Sequence, residues 1–177
     1  MKKNVEISML FLLPLLLCAC PYSSSHYIDD SPQIYVEEVL LGKWIGNVKK
    51  PGTNRDELIY LNFAKKTDTE YSISFSGNLK ELSPFKINLA DSLTGTAFMS
   101  TIGERQFLNI SINARIYIAE LILKSGKLSL LPLAEHFTAK MIRTNLELRN
   151  SVDFHYKTRV HPILDDDFCL HDMVKVD

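Results

Sequence analysis

The chain has 177 residues, of which 46% are hydrophobic and 23% are charged. Twenty basic residues stand against 21 acidic ones, and a formal net charge of −1 argues against a nucleic-acid binder, which would carry a basic surplus. The chain has seven glycines and contains no G-x-S-x-G, H-E-x-x-H or phosphate-cradling glycine loop. These observations exclude the motif-defined hydrolase, zinc-protease and nucleotide-binding classes.

The first twenty residues have the pattern of an export signal. Met1-Lys2-Lys3 is positively charged, and Ile7–Leu17 is apolar except at two positions but shorter than the ~20 residues that span a bilayer. The junction Leu17-Cys18-Ala19-Cys20 resembles the lipobox of bacterial lipoproteins. That resemblance implies cleavage after Ala19 and lipidation of the Cys20 thiol. An ordinary signal peptide and lipidation at Cys18 are the alternatives, and the second would place the bulky Leu17 directly before the modified cysteine.

This junction and the composition of the residues after it divide the chain into three predicted parts. Residues 1–19 are the predicted signal peptide, residues 20–36 the lipidated cysteine and a flexible tether, and residues 37–177 a single β-rich domain. The tether prediction depends on the polar, serine-rich composition of residues 21–33 and on their flanking prolines. Pro21 stands where an aspartate would resemble an inner-membrane retention signal, so the outer membrane is the expected location.

From Val39 onward the sequence has the pattern of short β-strands. Alternating apolar and hydroxyl side chains in Tyr71–Ser76 place one set on each face of a strand. The charged stretch Lys65–Glu70 is predicted to connect a hairpin, and Ser125-Gly126 a second, tighter one. The predicted strands are Leu58–Ala64, Tyr71–Ser76, Lys86–Leu89, Thr94–Ile102, Phe107–Ile112, Ile116–Leu123 and Lys127–Leu131.

One amphipathic segment interrupts this pattern. From Leu133 to about Leu146, apolar residues such as Phe137 and Met141 fall on one arc of a helix, which we expect to plug or flank the sheet. Val152–Tyr156 and Met173–Val176 are expected as short edge strands. The predicted fold class is therefore mainly β: an antiparallel β-barrel or barrel-like sandwich with one packed α-helix.

The segment after the predicted tether carries a second resemblance. Leu40-Leu41-Gly42-Lys43-Trp44 is similar to the G-x-W signature that opens lipocalins and lipocalin-like barrels. In that family the glycine allows a tight turn into the first strand and the tryptophan closes the barrel floor. The resemblance therefore implies structural roles for Gly42 and Trp44. In lipocalins an arginine also packs on the tryptophan; the pattern assigns no residue of this chain to that role, and Arg159 is one possible arginine.

Titratable residues gather in the C-terminal third. His155, His161 and His171 accompany Asp165–Asp167 and Asp172, but their spacing is not that of a zinc or calcium site. We interpret them as solvated, and Cys169 as a buried structural thiol. We accordingly expect no catalytic residue, no metal and no cofactor.

The expected function is that of a non-enzymatic envelope lipoprotein. Its partners would be the bilayer, through acylated Cys20, and either a small apolar ligand inside the barrel or an envelope protein at its surface. The alternative is a hydrolase or other enzyme that acts on cell-envelope polymers, with its site among the acids and histidines of the C-terminal third. A binding barrel requires an enclosed apolar cavity, whereas an enzyme requires a cleft with convergent titratable groups.

Overall fold

The strands of this chain pair in sequence order around a closed barrel. A computed structural model describes residues 22–49, 56–79, 92–134, 137–138, 140–159, 164 and 168–176. The predicted strand at Lys86–Leu89 lies outside these residues. The elements are β1 (Ser23–Ser24), a 3₁₀ turn (Glu38–Leu40), β2 (Gly42–Lys49), β3 (Asp56–Lys65), β4 (Tyr71–Gly77), β5 (Ser92–Ile102), β6 (Arg105–Ile112), β7 (Arg115–Lys124), β8 (Lys127–Pro132), α1 (Asn145–Thr158) and β9 (Leu170–Val176).

Antiparallel pairing of neighbours runs from β2 to β8, and β9 closes the barrel between β8 and β2. The eight strands β2–β9 therefore form the barrel, and β1 pairs separately with the start of β7. This confirms the predicted fold class, a lipocalin-like antiparallel barrel with a packed helix. No described helix is long and apolar enough to cross a bilayer.

Along each strand, side chains alternate between the interior and the outer face of the barrel. In β3, Ile59, Leu61 and Phe63 are buried inside, and they pair with β4 through the predicted hairpin. The second predicted hairpin is also confirmed: Lys124 pairs with Lys127 across Ser125 (φ 53°) and Gly126 (φ 75°). Positive φ at both central residues is the geometry of a type I′ turn, which suits the twist of the flanking strands.

The helix lies further along the chain than predicted. Leu133 extends the β8 connection, since its N–H donates to the carbonyl of Ile118, and the described residues from Leu133 to Thr144 are not helical. The helix α1 begins after Thr144, whose side chain accepts from the N–H of Glu147, while the Glu147 carboxylate accepts from the N–H of Arg143. This reciprocal capping decides where the helix begins.

Two further predictions concern the C-terminal strands. The strand predicted at Val152–Tyr156 is wrong, because these residues lie in α1, where Leu148 and Val152 are buried one turn apart. Met173–Val176 does lie in a strand, β9, as expected. However, β9 is not an edge strand, because it pairs with β2 on one side and β8 on the other.

Apolar side chains form two cores. The first fills the barrel interior. The second lies outside the barrel, where α1 covers the outer faces of β6 and β7 through Leu148, Val152, Phe107 and Ile118. The helix therefore flanks the barrel and does not plug it.

The flexible tether predicted for residues 20–36 is wrong for its described part, residues 22–36, which we call the strap. Ser23 and Ser24 pair with β7, and the Ile28 side chain is only 1% exposed in the second core. The Ile28 N–H donates to the buried Oδ1 of Asn109 at 2.8 Å. Scattered apolar side chains thus hold a serine-rich segment against the barrel wall, although its composition is typical of a linker.

Candidate functional site

One end of the barrel, which we call the floor, is closed around Trp44. The Trp44 side chain is 1% exposed, and its indole N–H donates to the carbonyl of Leu40 at 2.8 Å. Leu40 ends the 3₁₀ turn and is itself fully buried. Gly42 has a φ of 111°, a conformation that side chains with a Cβ rarely adopt, and this allows the chain to turn from the 3₁₀ segment into β2.

The basic residue beside the tryptophan is Lys175. Its Nζ lies 5.7 Å from the Trp44 ring centroid and donates to the carbonyl of Val39 at 3.1 Å. Arg159, the candidate from the sequence, instead ends α1 in a left-handed conformation. A lysine and not an arginine therefore lies beside Trp44, and β9 supplies it, since closure of the barrel brings β9 next to β2.

The opposite end of the barrel, which we call the mouth, holds an apolar cavity of about 190 Å³. Its lining comes from inward-facing residues on most of the strands, including Val48, Ile59, Leu93, Ile110, Ala119 and Leu170. Phe75, Tyr117, Pro132 and Phe168 complete the lining and are half-buried. Among these described residues, only Tyr117 carries a polar side-chain atom.

The cavity follows from the distribution of side-chain size along the barrel. Large rings fill the floor, where Trp44, Phe63 and Tyr71 are at most 1% exposed. Toward the mouth, Val48 and Ala119 project less far into the interior and leave space. An enclosed apolar cavity of about 150 Å³ in a protein binds benzene, so by volume this cavity, which is partly open at the mouth, has room for one ring or a short acyl segment.

A separate polar cluster links α1 to the outside of the barrel. The carboxylate of Glu120 is buried on β7 and accepts from Arg105 at 2.5 Å and from the Tyr156 hydroxyl at 2.7 Å. The Arg105 guanidinium also stacks 4.2 Å from the centre of the Tyr156 ring. Burial, together with the negative charge and hydrogen bond of Glu120, raises the pKa of Tyr156 well above its usual range. The Glu120 carboxylate thus accepts hydrogen bonds from both Arg105 and Tyr156, an arrangement that stabilises helix docking.

We expect Tyr156→Phe to lower the free energy of unfolding by about 1–3 kcal/mol, because the buried Glu120 carboxylate loses a donor. The raised pKa means that Tyr156 stabilises the fold fully below the ordinary tyrosine pKa of ~10, and that this contribution is lost as the pH rises further. Denaturant unfolding at neutral and alkaline pH measures both effects. Tyr35→Phe, at a side chain 74% exposed, is the matched control and should leave stability unchanged. Equal stability of the two variants would show that the cluster contributes little.

The histidines and acids of the C-terminal third do not form a common site in the described residues. His155 lies on α1 over β6 and β7, whereas His171 lies on β9 and faces solvent. His161 and Asp165–Asp167 lie outside the described part of the chain. Within that part, no group of three or more histidine, cysteine or acidic side chains could hold a metal ion. Cys169 is buried.

Sequence reasoning allowed for an apolar ligand inside the barrel but identified none of the residues that line the cavity, and it missed the Glu120 cluster. One signal was present for the cluster: Glu120 interrupts the otherwise apolar run Ile118–Leu123, and a carboxylate in such a run requires a buried partner. The cavity has no local signal, because its walls come from strands far apart in the sequence.

Comparison of the chain with protein-family models, with curated proteins and with solved structures finds no match.

Proposed function

We propose that this chain is a bacterial envelope lipoprotein, anchored through acylated Cys20 to the outer membrane, whose barrel binds a small apolar ligand without catalysis. The observation that carries the ligand proposal is the apolar cavity of about 190 Å³ at the mouth of the barrel. The lipobox-like junction at residues 17–20 supports the anchor.

The chemistry of the lining favours binding over catalysis. Catalytic clefts bring together titratable groups whose pKa values suit proton transfer. Here the described lining is aliphatic and aromatic apart from the Tyr117 hydroxyl. Such a lining selects ligands by their shape and by the apolar surface that they bury on binding. A hydrocarbon ring or a short acyl segment is therefore the expected ligand.

A cavity-filling variant tests the ligand proposal. Ala119 is 1% exposed and lines the cavity, so Ala119→Leu places a larger side chain in the binding space. We expect it to weaken benzene binding at least ~10-fold, as measured by calorimetry and by the ligand-dependent rise in melting temperature. Ala64→Leu is the matched control, because Ala64 is exposed on the outer face of β3.

The outcomes separate clearly. Benzene binding by the wild type and by Ala64→Leu, with loss in Ala119→Leu, supports an internal apolar site. Equal affinity in all three proteins, or no binding to the wild type, contradicts it and favours an envelope protein as the partner. Overpacking costs typically ~1–3 kcal/mol, so the melting temperature of each unliganded variant is measured first.

A further inference from the structure

The beginning of the strap lies against the outer wall of the barrel. The Tyr22 N–H donates to the carbonyl of Leu133 at 2.8 Å, and its ring packs edge-on against Phe137 with centroids 4.8 Å apart. Release of this segment would expose Ile28 and leave Asn109 without the N–H that it binds. The first described residue is thus held on the wall formed by β6, β7 and α1.

This docking limits where a lipid anchor can lie. Cys20 precedes Tyr22 by two residues, and two extended residues reach at most ~7 Å. A lipid on Cys20 would therefore enter the bilayer close to Tyr22 and Phe137. The predicted tether would have let the domain stand away from the membrane, whereas the docked strap keeps this wall next to it.

The surface next to Phe137 has the composition of a membrane interface. A groove runs between α1 and the described residues 138 and 140–143, and its lining includes Met141 and Phe154, which are 76% and 55% exposed. Lys140 and Arg143 line the same groove, with the Lys140 Nζ 5.9 Å from the Phe154 ring centroid. Leu146, in the first turn of α1, is also 65% exposed. We call this surface the groove face.

Exposed apolar side chains beside cations suit a bilayer surface. Burial at the boundary between headgroups and acyl chains removes apolar side chains from water, and an anionic leaflet attracts nearby Lys and Arg side chains. Two large apolar side chains exposed in one groove, Met141 and Phe154, also suit a contact site. Proximity to the anchor decides in favour of the bilayer as the occupant.

We propose that the groove face lies on the membrane, with Met141 and Phe154 at the headgroup level and Lys140 and Arg143 against anionic lipid phosphates. This inference rests on the proposed lipid anchor at Cys20. It fixes the orientation of the barrel relative to the bilayer, with the β3 wall facing away, because β3 is four strands from β7 in either direction around the barrel.

Tryptophan probes in the full lipidated protein test this orientation. Met141→Trp reports on the groove face, and Leu58→Trp on the opposite wall, where Leu58 is 39% exposed on β3. Each protein is reconstituted in phosphatidylcholine vesicles, with or without phosphatidylglycerol, that contain a phospholipid brominated near the headgroup end of its acyl chains. The emission of the buried Trp44 is subtracted by use of the wild-type protein. We expect a blue shift and strong quenching for Met141→Trp, and neither for Leu58→Trp.

A charge reversal at Lys140 and Arg143 tests the proposed contact with anionic lipid. In the Met141→Trp background, Lys140→Glu with Arg143→Glu should remove the part of the quenching that depends on phosphatidylglycerol while the protein still floats with vesicles. If both tryptophan variants float with the vesicles but quenching is equal in the two, or stronger in Leu58→Trp, the proposed orientation is wrong. That result leaves the proposed lipid anchor at Cys20 intact. Failure of the wild-type protein to float overturns both the anchor and the orientation.

Discussion

Replacement of Trp44 by alanine is expected to lower the free energy of unfolding by about 3–5 kcal/mol, the usual cost of truncating a buried aromatic side chain. The ring is 1% exposed and closes the barrel floor, and its N–H would no longer satisfy the Leu40 carbonyl. Because a domain of this size is stable by only ~5–15 kcal/mol, the variant should be visibly weakened or unfolded. Chemical denaturation followed by circular dichroism measures the change.

Two controls define the result. Tyr35→Ala removes an aromatic side chain that is 74% exposed and should change stability little. Intrinsic fluorescence needs no mutant, since Trp44 is the one tryptophan of the chain. Blue-shifted emission that iodide does not quench is expected. A red-shifted and readily quenched spectrum, with unchanged melting of Trp44→Ala, would place Trp44 on the surface as a partner-binding residue.

Replacement of Cys20 by alanine is expected to abolish membrane association and to leave an unprocessed precursor. Several acyl chains on one cysteine hold a protein essentially permanently, because each buried methylene contributes about 0.8 kcal/mol, and the variant loses all of them. Metabolic labelling with a fatty-acid analogue, followed by membrane fractionation, measures the effect. Labelled wild-type protein in the outer-membrane fraction and unlabelled Cys20→Ala protein are the expected pair.

Cys18→Ala is the matched control for the anchor. It changes a cysteine two residues away and should keep both the label and the membrane location. Loss of the label in Cys18→Ala alone would move the modified residue to Cys18. An unlabelled, fully soluble mature wild-type protein would falsify the anchor.

Local patterns predicted the barrel because each strand carries its own signal. The alternation in Tyr71–Ser76 and the turn at Ser125-Gly126 depend only on neighbouring residues, and the structure confirms both. The helix was misplaced although its signal is also local. Thr144 and Glu147 form the capping pair, but the apolar arc that starts at Leu133 predicts a helix twelve residues earlier. In the fold, Leu133 and Phe137 are buried as parts of an irregular segment, so apolar spacing alone did not distinguish helix from packed coil.

The sequence by itself determined most of the described strands from Asp56 to Pro132, where the tight turns lie and that a glycine and a tryptophan open the barrel, because these depend on residues close together in the chain. The tertiary structure alone decided that residues 22–36 dock, since the N–H of Ile28 meets Asn109 across 81 positions. It also decided that Lys175 packs on Trp44, because β9 returns to β2 only when the barrel closes. The cavity belongs to this second group: its volume depends on how the side chains of separate strands meet in the interior, and no local stretch of sequence encodes that distance.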